Sequence, residues 1–378
     1  MKTIFIGING YDFPYTRVRC FHFAEELRKL GMETEVLSFR DHLAPQYTGI
    51  EMLNLGDKEK LRLNFNAMAK LFKDRKSIFY IQKVHYHSGA PFLLSRLTGT
   101  KFILDYDDWD IDRSPLFERK ILNNIFFKGH DSETVTRNIA QKASACIAAS
   151  RHLQEHLSQY NNNVFYLPTG VNTERFKRIS HNSTNSVNFI WTGLIWGEVI
   201  YNNIVFILDC FSVLSKEYKN VSLKIVADGE WYSKVKEVVK KTYSECKIDL
   251  LDWIPPDRMP EVLSTVDIGL LPLIPDKPNE IWMKAKSPTK LFEYMAMELA
   301  TVSTNSGEVP NIIRDGIDGF LGNDKEDFTK KMGILVKDYE FRKNMAKLAR
   351  KKAEKEFSLP ALGKKLFSII KDIESLKQ

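Results

Sequence analysis

The chain of 378 residues is longer than one ordinary hydrophobic core supports, and its length predicts two domains. With 43% apolar and 27% charged residues, the composition is that of a globular protein and excludes a fibrous or disordered chain. The net charge of +7 is too small to indicate nucleic acid binding, but it suits a phosphorylated small molecule or an anionic membrane face.

The first half of the sequence alternates between strand and helix patterns. KTIFIGIN predicts a buried parallel strand, RCFHFAEELRKLG has helical spacing and stops at Gly31, and METEVLSF predicts the next strand. This order is that of a βαβ unit. Further strand patterns follow in SIFYIQKV, KFILDYDD, ACIAAS and VFYLPTG. Residues 1–175 are therefore predicted to form one doubly wound α/β domain.

The alternation starts again after RISHNSTNS, a short polar stretch that predicts a linker. VNFIWTG and VSLKIVADGE predict strands around the helix NIVFILDCFSVLSKEY, and IDLLDWI, DIGLLPL and ATVSTNS predict three more strands. Residues 185–358 thus form a second doubly wound domain, and helix 359–378 is expected to cross back onto the first. The predicted fold class is α/β, with two Rossmann-like domains facing a cleft, where open α/β sheets bind ligands.

The cysteines and the beginning of the chain bear on the cellular compartment. Cys20, Cys146, Cys210 and Cys246 are far apart and form no CxxC pair, which favours reduced thiols over a disulfide framework. The beginning of the chain has too short an apolar run for a signal peptide, and no stretch approaches the roughly 20 apolar residues of a membrane span. We expect a cytoplasmic protein, either in solution or at the inner face of the membrane.

The stretch KAKSPTKLFEYMAME, residues 284–298, predicts an anion site. Ser287 suits an N-cap and Pro288 the first helical position, so the backbone N–H groups of the next residues point out of the helix start. Lys284, Lys286 and Lys290 add positive charge where the helix dipole disfavours it. This combination indicates a bound diphosphate.

Glu293 follows Lys290 on the same helix face and is able to accept hydrogen bonds from ribose hydroxyls. The alternative is an ordinary Lys–Glu surface pair, which does not explain three lysines at one helix start.

The longer stretch KSPTKLFEYMAMELATVSTNSGEVPNIIRDGIDGFL resembles the donor-binding signature of retaining glycosyltransferases of family 4, which have the GT-B fold. The family's other stretches are matched in the same order by IWTG, VADGE, LDWIPPDRMPEVLSTVDIGLLPL, and AASRHL with YLPTGVNTERF. The resemblance therefore covers essentially the whole chain. It is strongest to a branch with the motifs KSPxKxxEY and DxDD, found in polysaccharide and surface-glycan biosynthesis. The resemblance implies metal-independent transfer of a hexose-type unit, with retention, from a UDP- or GDP-linked sugar to a hydroxyl of a glycan or lipid-linked acceptor.

The same resemblance implies roles for individual donor-side residues. Glu293 would hold the ribose, Gly193 would lie next to the phosphates, and Trp253 and Ile254 would flank the base. The loop of residues 286–291 would hold the diphosphate and the sugar through Lys286, Ser287, Thr289, Lys290 and Leu291. Of these, Lys290 is also predicted to be catalytic, because it stabilises the leaving charge.

The sequence departs from the family pattern at two places. Ala285 stands where the family has the first acid of a glutamate pair, and GLIWGEVIYNN lacks the cationic pair that usually follows TG. Lys286 and Lys290, together with Arg17 or Arg19 from the loop after the first strand, are predicted to replace that pair. The alternative for the two arginines is exposure to water at a helix start.

Acceptor-side residues are expected at the ends of two strands of the first domain. KFILDYDDWD ends in Asp105, Asp107 and Asp108. The family often has His-Asp here; the histidine is missing, and Asp107 or Asp108 stands in its place to orient the acceptor hydroxyl or to accept its proton. The alternatives are capping of the next turn and a DxD metal site, which the phosphate-binding lysines of the second domain disfavour. We predict no bound metal. Three residues of FYIQKVHYHSGAP are predicted to line the acceptor pocket, namely Lys83, His85 and His87.

Two further patterns have competing interpretations. HLQEH, residues 152–156, has an inverted zincin spacing, but it lies on a short helix after a buried strand and is predicted to be structural. Residues 58–76 place an apolar stripe beneath many cations, which predicts either a packing helix with a solvated basic face or an interfacial helix on anionic lipid. The packing helix is preferred unless the acceptor is lipid-linked.

Two rival functions remain at this stage. One is a non-hydrolysing nucleotide-sugar epimerase of similar fold, and the other is a catalytically silent glycan or nucleotide-sugar binding protein, for which Ala285 is the argument. IGINGYDF lacks the GxGxxG fingerprint, which disfavours a dinucleotide-dependent oxidoreductase.

Overall fold

The structure is a computed structural model that describes residues 2–111, 115–179, 186–274 and 280–375. Its strands are β1 (Thr3–Gly7), β2 (Thr34–Ser38), β3 (Ile78–Gln82), β4 (Phe102–Tyr106), β5 (Ala145–Ala148), β6 (Val164–Tyr166), β7 (Val187–Leu194), β8 (Val221–Asp228), β9 (Ile248–Leu251), β10 (Ile268–Leu271), β11 (Ala300–Thr304) and β12 (Phe320–Gly322).

The α-helices are α1 (Pro14–Thr16), α2 (Phe23–Lys29), α3 (Phe39–Leu43), α4 (Gly49–Leu53), α5 (Asp57–Lys73), α6 (Gly89–Thr98), α7 (Lys120–Phe127), α8 (Ser132–Lys142), α9 (Arg151–Ser158), α10 (Glu198–Glu217), α11 (Tyr232–Thr242), α12 (Met259–Leu263), α13 (Glu280–Ala285), α14 (Thr289–Ala296), α15 (Val309–Ile312), α16 (Lys325–Lys337), α17 (Tyr339–Lys352) and α18 (Leu359–Ser375). π-Helical segments span Arg17–His22 and Ala353–Phe357, and 3₁₀ turns span Tyr86–Ser88 and Pro256–Arg258.

The chain divides into two compact units. Unit 1 contains Met1–Thr169, Ala285–Ser287 and Leu359–Gln378, and unit 2 contains Gly170–Lys284 and Pro288–Ser358. Three residues of the segment that the sequence placed in the C-terminal domain, Ala285–Ser287, therefore group with unit 1. The predicted linker lies largely at residues 180–185, outside the described residues.

Unit 1 is built on a six-stranded parallel sheet with the order β2-β1-β3-β4-β5-β6. All five residues of β1, β3 and β4 are buried because helices cover both faces of the sheet. Helix α18 packs against α2 on one of these faces, and its Leu362, Leu366 and Ile370 join the core there. The strand order reverses between β1 and β3, and that switch point is where open α/β sheets form ligand crevices.

Unit 2 repeats the architecture with the order β12-β11-β10-β7-β8-β9, also parallel. Its switch point lies between β7 and β10. The predicted fold class, two Rossmann-like doubly wound domains, is confirmed in each unit. The sequence missed β12, because three residues are too few to show a strand periodicity.

The expectation that no stretch approaches the length of a membrane span is corrected by helix α10, which is long and apolar enough by length and composition alone, with a mean hydropathy of 1.4. Its Ile204, Ile207, Leu208, Phe211 and Leu214 are buried in the core of unit 2. This burial is typical of the core helix of an α/β domain, so the helix is weak evidence for a membrane span.

Candidate functional site

Two donor-side candidates of unit 2, Gly193 and Lys290, meet at the carboxyl end of β7. Gly193 has a φ of +152°, a conformation that favours glycine, and a Cβ at this position would lie 2.6 Å from Lys290 Cε and 2.8 Å from Lys290 Nζ. The Lys290 ammonium also lies 5.3 Å from the ring centroid of Trp191. The missing side chain at Gly193 therefore makes the space in which the ammonium of Lys290 lies.

Helix α14 is held at the switch point by Tyr294. Its hydroxyl accepts a hydrogen bond from the backbone N–H of Thr192 on β7, 3.2 Å away. On β10, the side chain of Tyr294 covers Gly269, where a Cβ would lie 2.4 Å from the Tyr294 ring. The N-terminus of α14 and the half-buried Glu293 are thereby fixed beside the carboxyl ends of β7 and β10. Backbone N–H groups in the first turn of a helix lack intrahelical partners and attract anions.

The start of α14 differs from the sequence prediction. Pro288, not Ser287, is the residue before the helix, and no side chain caps it. The Ser287 hydroxyl instead accepts a hydrogen bond from the backbone N–H of Thr169, 3.0 Å away within unit 1. The predicted N-cap role of Ser287 is thus wrong, because its hydroxyl bonds a distant part of the chain that sequence spacing does not reveal.

Lys284 does not join the predicted cation group either. It lies on the preceding helix α13, is exposed, and donates to Glu280 at 2.6 Å in an i,i+4 ion pair. Thr289 and Lys286 are half-buried, and Ala285 is fully buried among core residues of unit 1. Leu291 is a core residue, so only its backbone is able to serve a ligand. Trp253 and Ile254 follow the end of β9, with the Trp253 side chain 56% exposed and Ile254 partly buried.

In unit 1, Arg19 is not exposed. Its Nε donates to Asp105 Oδ2 at 2.8 Å, its Nη1 donates to Leu167 O at 2.8 Å, and its Nη2 pairs with Asp105 Oδ1. Both side chains are fully buried. Burial opposes the charge on Arg19, but Asp105 raises the pKa of the guanidinium above its usual value. The donor-binding role of Arg19 and the acceptor-side placement of Asp105 are therefore corrected to a buried structural ion pair.

Arg17 has a different environment from Arg19. It is half-buried on the π-helical segment, and its Nη1 donates to the carbonyl oxygens of Tyr11 and Asp12, each 3.3 Å away. Its guanidinium thus lies in the loop after β1, and its donor-binding role stays a prediction.

A buried charged cluster occupies the carboxyl ends of β3 and β4, next to β1. The ammonium of Lys83 lies 3.1 Å from Asp110 Oδ2 and 3.7 Å from Asp107 Oδ1, and Nε2 of His85 lies 3.5 Å from Asp110 Oδ2. Lys83 follows directly after β3 with a φ of +67°, an unusual conformation for a lysine that often accompanies functional strain. The cluster therefore brings together Asp107, Lys83 and His85, three of the residues predicted for the acceptor side.

The charges in this cluster shift one another's pKa values. Burial raises the pKa of Asp107 to about 6 against the attraction of Lys83. Burial also acts to raise the pKa of Asp110, but the charge of Lys83 and the hydrogen bond from His85 hold it well below its usual range. Burial would lower the pKa of Lys83, yet Asp107 and Asp110 raise it well above its usual value. At neutral pH the cluster thus carries a charged lysine and two ionised carboxylates.

Hydrogen-bond acceptors without partners surround these charges. His87 Nε2 donates to the carbonyl of Gln82 at 2.9 Å, so its Nδ1 is an acceptor, and burial lowers the pKa of both His85 and His87. Among the buried side-chain atoms of the described residues that have no hydrogen-bond partner are four acceptors on residues of this cluster and its neighbours: Asn9 Oδ1, Gln82 Oε1, His85 Nδ1 and His87 Nδ1. Unpaired buried acceptors are costly, so these atoms require hydrogen-bond donors, which water or the hydroxyl groups of a ligand supply.

Asp110, Tyr15 and Asn9 belong to the cluster, although the sequence analysis did not select them. Tyr15 lies under Lys83 with 4.6 Å between the ammonium and the ring centroid, and Asn9 Nδ2 donates to the Tyr15 hydroxyl. The signal for Asp110 was present in the run DYDDWD, but spacing alone did not show which acid faces Lys83. Asp108 instead accepts a hydrogen bond at 2.9 Å from the backbone N–H of Trp109, as a turn-capping residue does.

The histidines of the HLQEH pattern have a packing role, as predicted. The ring of Trp109 contacts those of His152 and His156 with centroid distances of 5.7 and 4.8 Å. Trp109 lies between Asp107 and Asp110, so α9 supports the loop that carries both acids.

The comparison with known families agrees with this geometry. Residues 187–338 match the family model of group 1 glycosyl transferases. The matched range contains Gly193, Lys290 and Glu293. A relative, WcaL of Salmonella typhimurium, is a predicted colanic acid biosynthesis glycosyltransferase with 23% identity over 153 residues. That match covers 40% of this chain and 37% of WcaL.

Solved structures resemble the chain over nearly its whole length. HepE of Anabaena in complex with UDP has a TM-score of 0.67 and 12% identity, with 98% of this chain and 100% of HepE covered. Sucrose-phosphate synthase of Thermosynechococcus elongatus has a TM-score of 0.74 and 10% identity, with 99% of this chain and 100% of the synthase covered. A glycosyltransferase of Rickettsia africae has a TM-score of 0.68 and 15% identity, with 100% of this chain and 99% of that protein covered. At these identities the likeness shows the fold, and the predicted GT-B fold class is confirmed.

Proposed function

We propose that this protein is a glycosyltransferase that moves a sugar from a nucleotide diphosphate sugar to a hydroxyl acceptor in polysaccharide or glycan biosynthesis. The observation that carries the proposal is the position of Lys290. Its ammonium lies against Gly193 at the start of α14 and at the switch point of the sheet that matches group 1 glycosyl transferases. The names of WcaL and of the UDP-bound HepE structure support polysaccharide synthesis and a nucleotide-sugar donor.

The donor side of the reaction requires stabilisation of negative charge. As the bond between the anomeric carbon and the diphosphate oxygen breaks, charge grows on the leaving diphosphate. Lys290, Lys286 and the backbone N–H groups at the start of α14 supply preorganised positive potential for that charge. Glu293, one turn further along α14, accepts hydrogen bonds from the ribose, and Trp253 and Ile254 flank the base, which is uracil or guanine. Arg17 completes the phosphate contacts.

The acceptor side uses the buried cluster of unit 1. The acceptor is a glycan or a lipid-linked glycan, and its hydroxyls donate to the acceptor atoms around Lys83, including those of His85 and His87. Asp107, ionised at neutral pH, orients the reacting hydroxyl and accepts its proton as the new C–O bond forms. Asp108, which the sequence also selected, caps the turn and fixes the loop.

Transfer with retention, metal independence and membership of family 4 are part of the same proposal. The supporting observation is electrostatic. Next to the proposed diphosphate site, Lys290 provides the positive charge that a divalent cation supplies in other transferases. In unit 1 the Lys83 ammonium already neutralises part of the charge of Asp107 and Asp110. The four cysteines are free, which suits the cytoplasmic location that we also propose.

Nucleotide binding tests the donor site. UDP and GDP are titrated against wild-type protein, and binding is measured by the rise in melting temperature and by calorimetry. Lys290→Ala is expected to weaken binding of the preferred nucleotide by about 10- to 100-fold, because a charge-assisted bond to phosphate is lost. Lys284→Ala is the matched control, since Lys284 is an exposed lysine six residues before Lys290 that pairs with Glu280. Equal affinities of the two variants would refute the site.

Product analysis separates the rival functions. A transferase consumes the donor and releases nucleotide diphosphate faster when a hydroxyl acceptor is present. An epimerase equilibrates the free donor sugar without an acceptor. A binding protein retains the donor with neither transfer nor slow donor hydrolysis, and either of these last two results would overturn the proposal.

A further inference from the structure

The three most exposed large apolar side chains in the described part of the chain lie on three successive helices of unit 1. Leu97 on α6 is 69% exposed, Ile121 on α7 is 65% exposed and Phe65 on α5 is 63% exposed. Phe72 on α5 and Ile125 on α7 are also exposed. These five side chains define what we call the α5–α7 surface. Single exposed apolar residues are ordinary, whereas a group on neighbouring helices marks an interaction site.

The three helices form one connected layer. The amide oxygen of Asn64 on α5 accepts a hydrogen bond from the backbone N–H of Ala90 at the start of α6, 2.8 Å away. The carboxylate of Asp57 on α5 accepts the backbone N–H groups of Glu118 and Arg119 just before α7, at 2.7 and 2.9 Å. Helices α6 and α7 pack directly against each other. The exposed apolar side chains are therefore carried by one rigid layer rather than by independent segments.

The periodicity of the helices directs these side chains to the outside. On α5, Leu63, Ala67 and Leu71 face the core, and Phe65 and Phe72, seven residues apart, share a face that the core does not cover. On α7, Phe126 and Phe127 are buried while Ile121 and Ile125, four residues apart, share the outer face. The apolar side chains thus protrude from the layer.

Positive charge surrounds the protruding side chains. The exposed cations on and next to the three helices are Lys58, Arg62, Lys70, Lys73, Arg75, Lys76, Arg96, Arg119, Lys120 and Lys128. The acids of the same segments are largely engaged, since Glu59 pairs with Arg62, Asp74 pairs with Lys2, and Asp57 caps the segment before α7. Among the described acidic residues of these segments, only Glu118 is exposed. The layer therefore presents apolar groups within a strongly positive field.

We propose that the α5–α7 surface docks on a bilayer that contains anionic phospholipid. Protruding Phe, Leu and Ile side chains enter the boundary between head groups and acyl chains, while the lysines and arginines contact the phosphates. A second copy of the chain fits this surface poorly, because self-association would bring the same ten cations together. The docking does not depend on the proposed glycosyl transfer, but it would bring unit 1 to a lipid-linked acceptor.

Vesicle co-sedimentation tests the proposal without any sugar donor. Full-length protein is mixed with vesicles of phosphatidylcholine alone or of phosphatidylcholine with phosphatidylglycerol. Binding is expected to be at least about tenfold tighter to the anionic vesicles. It should also fall steeply at about 1 M salt, where the Debye length is about 3 Å.

Two variants and a control identify the surface. Phe65→Ser/Leu97→Ser/Ile121→Ser is expected to lose about tenfold or more in affinity for the anionic vesicles, and Lys120→Ser/Lys128→Ser about 20-fold. Val213→Ser/Ile317→Ser/Ile334→Ser changes three exposed apolar residues of unit 2 and is expected to bind as the wild type does. Melting temperatures of the variants show that each is folded.

Three results would overturn the proposal. The first is equal binding of wild-type protein to neutral and anionic vesicles. The second is unchanged binding by the folded triple variant of unit 1. The third is a concentration-dependent dimer in light scattering that the same triple variant abolishes, since the surface would then join two copies of the chain.

Discussion

The ammonium of Lys83 lies closer to Asp110 than to Asp107, at 3.1 Å against 3.7 Å. Nε2 of His85 also lies 3.5 Å from Asp110, whereas among the described residues Asp107 accepts a hydrogen bond from the Gln82 amide, 3.3 Å away, and lies near the more distant lysine. This asymmetry gives the two acids different tasks. Asp110 keeps Lys83 charged and in place, and Asp107 retains acceptor capacity for a ligand.

Replacing Asp110 tests the positioning role. Asp110→Asn is expected to lower kcat/KM for transfer by about 10- to 100-fold, because Lys83 loses its nearest counter-charge and turns toward Asp107. Binding of nucleotide diphosphate should stay at the wild-type value. Asp110 also helps to raise the pKa of Asp107, so its loss should move the acid limb of the pH profile to lower pH. If activity falls but the acid limb of the pH profile keeps its wild-type position, the substitution has caused only structural damage.

The pH dependence of transfer reports on Asp107. Burial raises the pKa of this carboxyl to about 6, so protonation removes its accepting form as the pH falls through that value. We expect kcat/KM to decline below about pH 6 and to be level above it. Asp107→Asn should lower the rate and abolish this limb. A limb that persists in the variant would assign the titration to another group.

Glycine at position 193 is predicted to be required for donor binding. In Gly193→Ala, the new methyl group would meet Lys290 Cε at 2.6 Å, and the backbone φ of +152° is strained for alanine. The ammonium must move, so nucleotide diphosphate affinity should fall about tenfold or more in calorimetry. Gly197→Ala is the control, because a Cβ there meets nothing within 4 Å. Similar losses in both variants would contradict the assignment.

A test with nucleotide analogues examines Glu293. Wild-type protein should bind the 2′,3′-dideoxy form of its nucleotide diphosphate about 10- to 100-fold more weakly than the ribose form, because a carboxylate loses its donors. Glu293→Ala should bind both forms with similar affinity. If the variant still discriminates between them, another residue holds the ribose.

The buried pair of Arg19 and Asp105 is predicted to stabilise the fold rather than bind ligand. Arg19→Ala leaves an unpaired buried carboxylate and should lower the free energy of unfolding by about 3–5 kcal/mol in denaturant titration. Arg19→Met/Asp105→Leu removes both charges and should recover much of that loss. In either variant, the folded fraction should bind nucleotide diphosphate as the wild type does. A selective loss of nucleotide affinity would return Arg19 to the donor site.

Most of the fold was predictable because buried parallel strands have sequences that are compact runs of apolar residues. Every strand that we predicted, from β1 to β11, is present, since KTIFIGIN and VNFIWTG have lengths and compositions that a helix does not share. β12 was missed because its three residues carry too little pattern. The capping prediction at Ser287 failed for another reason, since the hydrogen bond that it accepts comes from Thr169.

The candidate site was predictable in residue type but not in partnership. Lys290 and Glu293 were selected from spacing and Gly193 from the family resemblance, and the structure places Lys290 directly on Gly193. By contrast, Arg19 was chosen as a ligand-binding cation, although its carboxylate partner lies 86 residues further along the chain. The local sequence around a charged residue at a helix start is the same whether its side chain contacts solvent or a buried acid.

The sequence by itself determined two doubly wound α/β domains and the helix start in the second that carries Lys290, because periodicity and helix-end chemistry are local properties. Only the tertiary structure decided which charges are buried in pairs and which acids surround Lys83. It also decided that Phe65, Leu97 and Ile121 protrude from one layer. Burial and Coulomb energy depend on distances between residues far apart in the chain, and those distances exist only once the strands have paired and the helices have packed.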